Sequence, residues 1–511
     1  MSTSTGRQAG GRAARRAART KTKIEQLPGL KRGIPTVEVL STEGIEKIIN
    51  AAYAILEEVG CDFRDPIAPE SWKKAGADVR GENVRIPREL VRKLMSTAPS
   101  GWTLTARNRD LSVKVGGDNT IFVPMAGAPF VEDLDGVRRY SKIEDLNNFH
   151  KLAHMSPALH STSHVICEPM DIAIPHRHLH ITYSSMKHSD KTFMGMSTTG
   201  ENAEDVIEMV KILFGEDFIK DHPVVTANCN CNSPLVWDES MLGAMRAYGR
   251  WNQPVLCSPF VLGGANTPAS TVPSVAQLVA EGMAGMAYAQ LENPGTPVIF
   301  GHYLSTVSMQ SGAPMAGTPE ISLMNFMVGQ VARYLNVPWR TSCTLGGAKS
   351  FDAQAGYESA TTMMATILAG ANYVWHSAGW NEGGLVASMS KFVVDAEQIA
   401  MGYRMAEGPK WDDFEEALAT IRNVGPAGHF LGEQHTQDNF QRAFFMPKLF
   451  DNNSFEQWEA AGSIETPERA TIAARQLLND YEAPALDPAI DEALLAFIKR
   501  RENEINPDKT L

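Results

Sequence analysis

Between about residues 120 and 380, short apolar runs rich in β-forming residues recur every 30 to 40 residues, and several end in small or polar residues just before a helical stretch. They are Thr120–Pro124, His160–Cys167, Thr192–Met196, Val224–Asn230, Pro254–Phe260, Pro297–Tyr303, Pro338–Cys343 and Asn372–Ser377. Eight strand-then-helix units predict an α/β fold, a (β/α)8 TIM barrel, because each crossover helix returns the chain to start the next parallel strand. The reactive face of such a barrel is built by the loops that follow its strands, so chemistry is expected just beyond each run.

A barrel of roughly 250 residues leaves room for additions in a chain of 511. The sequence predicts a disordered basic arm over 1–24, a mostly helical N-terminal cap over 25–115, the barrel core over 116–390 and a helical C-terminal extension over 391–511. In the cap, Ser41-Thr42-Glu43-Gly44 opens a helix whose Ile45, Ile48, Ile49, Ala52 and Leu56 form one buried stripe. Ser141, followed by Glu144 and Asp145, reads as the cap of the first barrel helix. In the extension, Asp395–Ala406, Trp411–Ile421, Phe455–Ala461 and Pro467–Leu478 read as helices.

Charge and composition narrow the function. The first 24 residues carry seven basic residues and no acid, so a net charge of −12 leaves the body at about −19, which repels nucleic acid. No run approaches the roughly 20 uninterrupted apolar residues of a membrane span, and no secretory leader precedes the body, so a soluble cytoplasmic protein is expected. Six cysteines without tight pairing predict free thiols. Motifs for dinucleotide binding, the phosphate-binding loop and the serine nucleophile elbow are absent.

Three glycine pairs follow later strands at nearly matching places: Gly263-Gly264, Gly346-Gly347 and Gly383-Gly384. Glycine admits positive φ and close approach of a ligand to the backbone, so the rim is expected to be a broad docking surface. Aromatic residues gather at the later strand ends: Tyr303, Trp339, Tyr373, Trp375 and Trp380. Strand alternation puts Tyr373 and Trp375 on one face, Val374 and His376 on the other. Ring faces attract a quaternary ammonium that cannot donate hydrogen bonds. His176-Arg177-His178-Leu179-His180 suggests a metal site, but after Pro175 it opens a helix on which only His176 and His180 share a face, so no metal is expected. Asp352 and Gln354 stand where a loop after a strand turns into a helix, positions from which they can enter the site or, for Asp352, cap the helix.

The segments PHRHLHITYSSMKHSDKTFMGM, TSCTLGGAKSFDAQAGYE and AGANYVWHSAG, with most of residues 35 to 500, resemble the trimethylamine methyltransferase family. That resemblance implies a barrel that moves a methyl group from an amine to the cobalt of a corrinoid (cobalamin) carried by a separate partner protein. The trimethylamine enzymes carry pyrrolysine near the place of Leu345–Asp352, whereas every residue here is standard. A quaternary amine already carries the charge that trimethylamine must acquire, so glycine betaine is the expected substrate, with proline betaine and carnitine behind it. On this reading Tyr303, Trp375 and Trp380 form the aromatic wall, His302, His376 and Gln354 serve the carboxylate or bridging waters, and Gly346, Gly347 and Asp352 face the corrin. The corrinoid proteins' own Asp-x-His-x-x-Gly signature is absent, so the cofactor arrives on the partner; a homo-oligomer is also expected. The competing expectations are a metal-dependent hydrolase using His176 and His180, and a betaine-binding protein without activity.

Overall fold

The structure is a computed structural model that describes residues 26–506; the expected basic arm lies outside them. Eight segments run parallel around one axis: β1 (Asn119–Val123), β2 (160–162), β3 (Phe193–Gly195), β4 (Val225–Cys231), β5 (Val255–Gly263), β6 (Val298–Phe300), β7 (Arg340–Thr341) and β8 (Tyr373–Trp375). Regular ladders join β3 to β4, β4 to β5, β5 to β6, β7 to β8 and β8 to β1. Single bridges complete the ring, Ser161 with Thr192 and Phe300 with Trp339. The last seam is closed where the His160 amide donates to the Phe122 carbonyl at 2.9 Å. Each expected run supplies one strand, and the ring is a closed barrel.

Eight helices follow: α1 (Ile143–Met155), α2 (Arg177–His188), α3 (Gly200–Phe214), α4 (Glu239–Gly249), α5 (Thr271–Glu292), α6 (Pro319–Tyr334), α7 (Ala353–Ala369) and α8 (Met389–Ala406). Local chemistry sets their ends. Thr199 caps α3 by accepting from the Asn202 amide at 3.0 Å, and Gly370, at φ 79°, closes α7 in the left-handed region. The start of α1 differs from expectation. Ser141 is drawn instead to the Pro129 and Glu168 carbonyls, and Asp145 reaches back to the Lys142 amide at 2.9 Å. The barrel also continues past residue 390, because α8 is its eighth helix.

The N-terminal segment contains strands as well as helices. Its helices Thr42–Ala54, Ala68–Ala75 and Arg88–Met95 pack against the outside of α5, and its strand Cys61–Arg64 pairs with Val236–Asp238. A hairpin, Gly101–Leu104 with Val113–Gly116, closes the bottom of the barrel. There Leu104, Val113 and Val115 meet the inward-facing Ile121, Val123, Met194, Leu256, Ile299, Tyr373 and Trp375 in one apolar cluster. Outward-facing strand residues pack under the helices: Phe300 fills the space left by Gly282 on α5, and Trp237 that left by Gly285. The C-terminal helix Pro488–Glu504 lies on α2 and α3.

Buried histidines tie the layers. His150 contacts the Ser184 hydroxyl at 2.8 Å and the His164 carbonyl at 3.0 Å, while His160 accepts from the Phe122 amide and bonds the Pro28 carbonyl. Burial holds His150 at about 3 and His160 at about 4, against an ordinary 6.5. Because the folded values lie below the unfolded ones, the stability these groups contribute is complete above about pH 6.5 and is lost as the pH falls toward them. Each should cost on the order of 2 kcal/mol by pH 5. His150→Gln should therefore show a smaller drop in unfolding free energy between pH 7 and pH 5 than the native chain; denaturant melts showing an identical drop would refute this.

Candidate active site at the mouth of the barrel

The rings of the expected site meet above the apolar floor. On adjacent strand ends Phe260 and Tyr303 stand in register and stack with centroids 4.9 Å apart. Tyr303 lies 5.9 Å from Trp380 and 6.4 Å from His376, and His376 lies 4.7 Å from Trp380 in an edge-to-face arrangement. Below, Trp375 stacks on His376 at 4.4 Å and takes His164 on its edge at 5.2 Å. The Trp375 indole donates to the Ser163 hydroxyl at 2.9 Å, which fixes the ring plane.

His376 departs from the face that strand alternation assigns it. Its φ of 64° breaks the extended strand immediately after Trp375 and turns the ring inward. There Nδ1 accepts the Ala126 amide at 3.1 Å, and burial together with the neighbouring Arg340 holds the ring neutral, its pKa well below 6.5. Burial pushes the Tyr303 phenol up to about 12, so it too is uncharged. The cluster offers ring faces and neutral dipoles rather than acids or bases.

His302 does not join it. Phe300 and His302 alternate with Ile299, Gly301 and Tyr303, so the His302 ring turns outward and stacks on Trp339 at 6.0 Å. Trp339 is itself an outer residue whose indole bonds the Gly370 carbonyl at 3.0 Å. Gln354 is also elsewhere: exposed, it donates to Glu358 at 2.8 Å. Asp352 caps α7, accepting from the Ala355 amide at 3.1 Å.

Two glycine pairs lie against each other. The Gly383 amide donates to the Gly346 carbonyl at 2.9 Å and the Glu382 amide to the Ala348 carbonyl at 3.0 Å. Glu358 holds the same loop through the Gly347 and Ala348 amides, at 2.8 and 3.2 Å. A side chain at Gly384, where φ is 98°, would overlap the Trp380 ring, so this glycine lets the indole lie flat on its own loop. Gly263-Gly264 ends β5 on the other side of the mouth, next to Met309.

Beneath the two joined loops lies a fully buried ion pair. Lys391 reaches Asp395 at 2.6 Å and also donates to the Ser359 hydroxyl at 2.8 Å and the Thr344 carbonyl at 3.2 Å. Asp395 accepts from the Gly379 amide at 2.9 Å. One pair thus ties α8 to α7 and to the loops after β7 and β8. Burial raises the Asp395 pKa despite the lysine.

The histidine-rich segment is structural. It opens α2, where His176 contacts the Ile505 carbonyl at 3.3 Å, His178 bonds Asp205 at 2.9 Å and His180 bonds Glu502 at 2.7 Å. Arg501 joins Asp205 at 2.6 Å, so the motif clasps the C-terminal helix. Among the described residues no three His, Cys, Asp or Glu side chains converge to hold a metal, and no helix is long and apolar enough to cross a membrane. All six cysteines are free and buried.

Residues 8–506 match the model of the trimethylamine methyltransferase (MTTB) family. The chain belongs to that family. A glycine betaine methyltransferase of Desulfitobacterium hafniense is 40% identical over 93% of this chain and 99% of its own length. A proline betaine:corrinoid methyltransferase of Eubacterium limosum is 27% identical over 91% and 97%. The crystal structure of the Methanosarcina barkeri monomethylamine methyltransferase superposes with a TM-score of 0.53 over 88% of this chain and 90% of its own, at 10% identity, which supports the fold alone. As a member of this family, the chain is a methyltransferase.

Sequence reasoning missed Phe260, His164, Glu358, the Lys391–Asp395 pair and Arg340, a guanidinium inside β7. Arg340 had a visible signal, a lone charge at an inward position of the apolar run Pro338–Cys343. The Lys391–Asp395 pair had a weaker one, opposite charges four apart on a helix whose other residues are largely apolar. Removing one partner of a buried pair leaves an uncompensated charge, so Asp395→Ala should cost about 3–5 kcal/mol of stability. Replacing both, Lys391→Met with Asp395→Leu, should recover most of it; urea melts in which the double variant is no better than the single would contradict this.

Proposed function

We propose that the chain moves a methyl group from glycine betaine to the cobalt of a corrinoid bound to a separate protein, in the cytoplasm. The observation that carries this reading is the uncharged ring cluster of Tyr303, His376 and Trp380 at the mouth of the barrel, with Phe260 stacked on Tyr303. Ring faces stabilise a quaternary ammonium by about 0.5–2 kcal/mol each, more as water is excluded. Such a substrate needs no proton: it leaves as a neutral tertiary amine, which suits a site whose histidine is neutral and whose phenol is far from ionising. The 40% relative's glycine betaine activity and the absence of a non-standard residue in Leu345–Asp352 favour glycine betaine over trimethylamine.

The rings touch one another, so a bound ammonium head parts them; the Trp380 loop, which rests on two glycines, is the element able to yield. The chain then contributes position and dryness, holding one N-methyl toward the mouth while the rings exclude water. When docked, the partner's reduced corrinoid supplies the nucleophile that accepts the methyl group. The rim suits a broad protein face: Phe260, Met309 and Leu385 stand exposed on strand ends or the loops beyond them, and Tyr357 on the start of α7. We also read the chain as a homo-oligomer, because Trp411, Phe414, Leu431, Phe444 and Met446 form an exposed apolar stretch beyond α8.

The test is methyl transfer to reduced cob(I)alamin with a cognate corrinoid protein, followed by the visible spectrum, across a panel of betaines with trimethylamine as control. Glycine betaine alone should react well; transfer from trimethylamine, or silence across the panel, sinks the proposal. Trp380→Ala should lower kcat/KM by roughly 10- to 30-fold, and Tyr303→Phe, which keeps the ring face, by far less. Equal losses for the two would argue against cation–ring recognition.

A further inference from the structure

We propose that Arg340 is the anchor for the substrate carboxylate, set below the ring cluster so that the acid end of a betaine points into the barrel and its methyl groups point out. The inference rests on the betaine reading above and deepens it.

Arg340 is inward-facing. Its neighbours Trp339 and Thr341 are committed to the helices, the first bonding the Gly370 carbonyl and the second the Asn325 side chain on α6 at 2.9 Å. Arg340 itself is 1% exposed, and its guanidinium lies over the Trp375 ring at 4.7 Å. Among the described residues it has no carboxylate partner. Nη1 donates to the His302 carbonyl, but Nε and Nη2 are buried with no hydrogen-bond partner. Those two nitrogens form one edge of the guanidinium, the side-on fork that takes both oxygens of a carboxylate at once.

A buried charge without a counter-ion is costly, and native structures rarely keep one unless something else completes it. The floor supplies no counter-ion: Leu256 and Ile299 are apolar, and the Tyr373 hydroxyl, itself without a hydrogen-bond partner, carries no charge. Other inward positions also carry unpartnered polar atoms: Thr226 and Asn228 on β4 and Ser342 just past β7. In register with the floor residues Met194, Leu256 and Tyr373 stand Thr226, Asn228 and Arg340, so the lumen passes from an unsatisfied, cationic edge at the floor to the aromatic cluster at the mouth. A zwitterion with a carboxylate at one end and a quaternary ammonium at the other matches that order, and burial leaves the Arg340 pKa at about 9, still charged at neutral pH.

Binding to the purified full-length chain, measured by calorimetry, separates the possibilities with two probes: glycine betaine, which has both groups, and tetramethylammonium, which has only the cation. The native protein should prefer glycine betaine. Arg340→Met should weaken glycine betaine by about 100-fold or more while leaving tetramethylammonium within about 3-fold, and Arg340→Lys should fall between. Without ligand, Arg340→Met should melt no lower than the native chain, because it removes an uncompensated charge; a purely structural arginine would give a lower melting temperature and a loss of both ligands. Unchanged glycine betaine affinity in Arg340→Met, or equal native affinity for the two probes, overturns the anchor and leaves the methyl-transfer reading standing. Failure of the native protein to bind or demethylate glycine betaine overturns that reading, and the anchor with it.

Discussion

Closing eight parallel strands into a ring creates a lumen, and how that lumen is filled decides everything above it. Its lower part is satisfied by apolar packing of the bottom hairpin against inward residues of five strands. This floor fixes the height at which polarity begins. Beside it in register the inward positions hold Thr226, Asn228 and Arg340, with Ser342 two residues further along the chain, and packing alone does not satisfy them. A TIM barrel normally fills its interior with branched aliphatic side chains. Here the upper lumen gives up that stability, and what it gains is a polar recess roofed by rings.

The roof depends on support from outside the lumen. Trp380 and the Gly346-Gly347 loop lie beyond the barrel strands, and the loops that carry them are tied down by the Lys391–Asp395 pair, through Gly379 and Thr344, and by Glu358 at Gly347. Buried ion pairs are weak contributors to net stability. Their geometry, however, is demanding, and this one links two helices to two loops through four side-chain hydrogen bonds.

The fold was legible in the sequence because each strand is a short apolar run bounded by turn residues, and the alternation of runs with helical stretches admits one simple topology. The ring cluster was legible in part: Tyr303, Trp375 and Trp380 stand together as their positions at strand ends imply. The exceptions have physical causes. His302 was one residue out of phase on a strand and so faces the helices, while His376 was rescued for the site by a left-handed backbone that no propensity announces. Gln354 and Asp352 are polar residues at a helix start, and both are absorbed by local hydrogen bonding, as such residues commonly are. The histidine-rich run, from which no metal was expected, clasps through His180 a helix residue 322 positions away in sequence, a contact no local pattern encodes.

The two hydrogen bonds between the glycine-pair loops, Gly383 to Gly346 and Glu382 to Ala348, weld them into a single leaf hinged on the Lys391–Asp395 pair. The leaf carries Trp380 on its inner side, and on its outer side the partly exposed Gly347, Gly383 and Gly384 beside Lys349 and Leu385. Whatever presses on the glycines from outside therefore moves the indole within, and whatever parts the rings from inside reshapes the surface a partner would meet. Entry of a small molecule and arrival of a large one are, in this architecture, read by the same piece of chain.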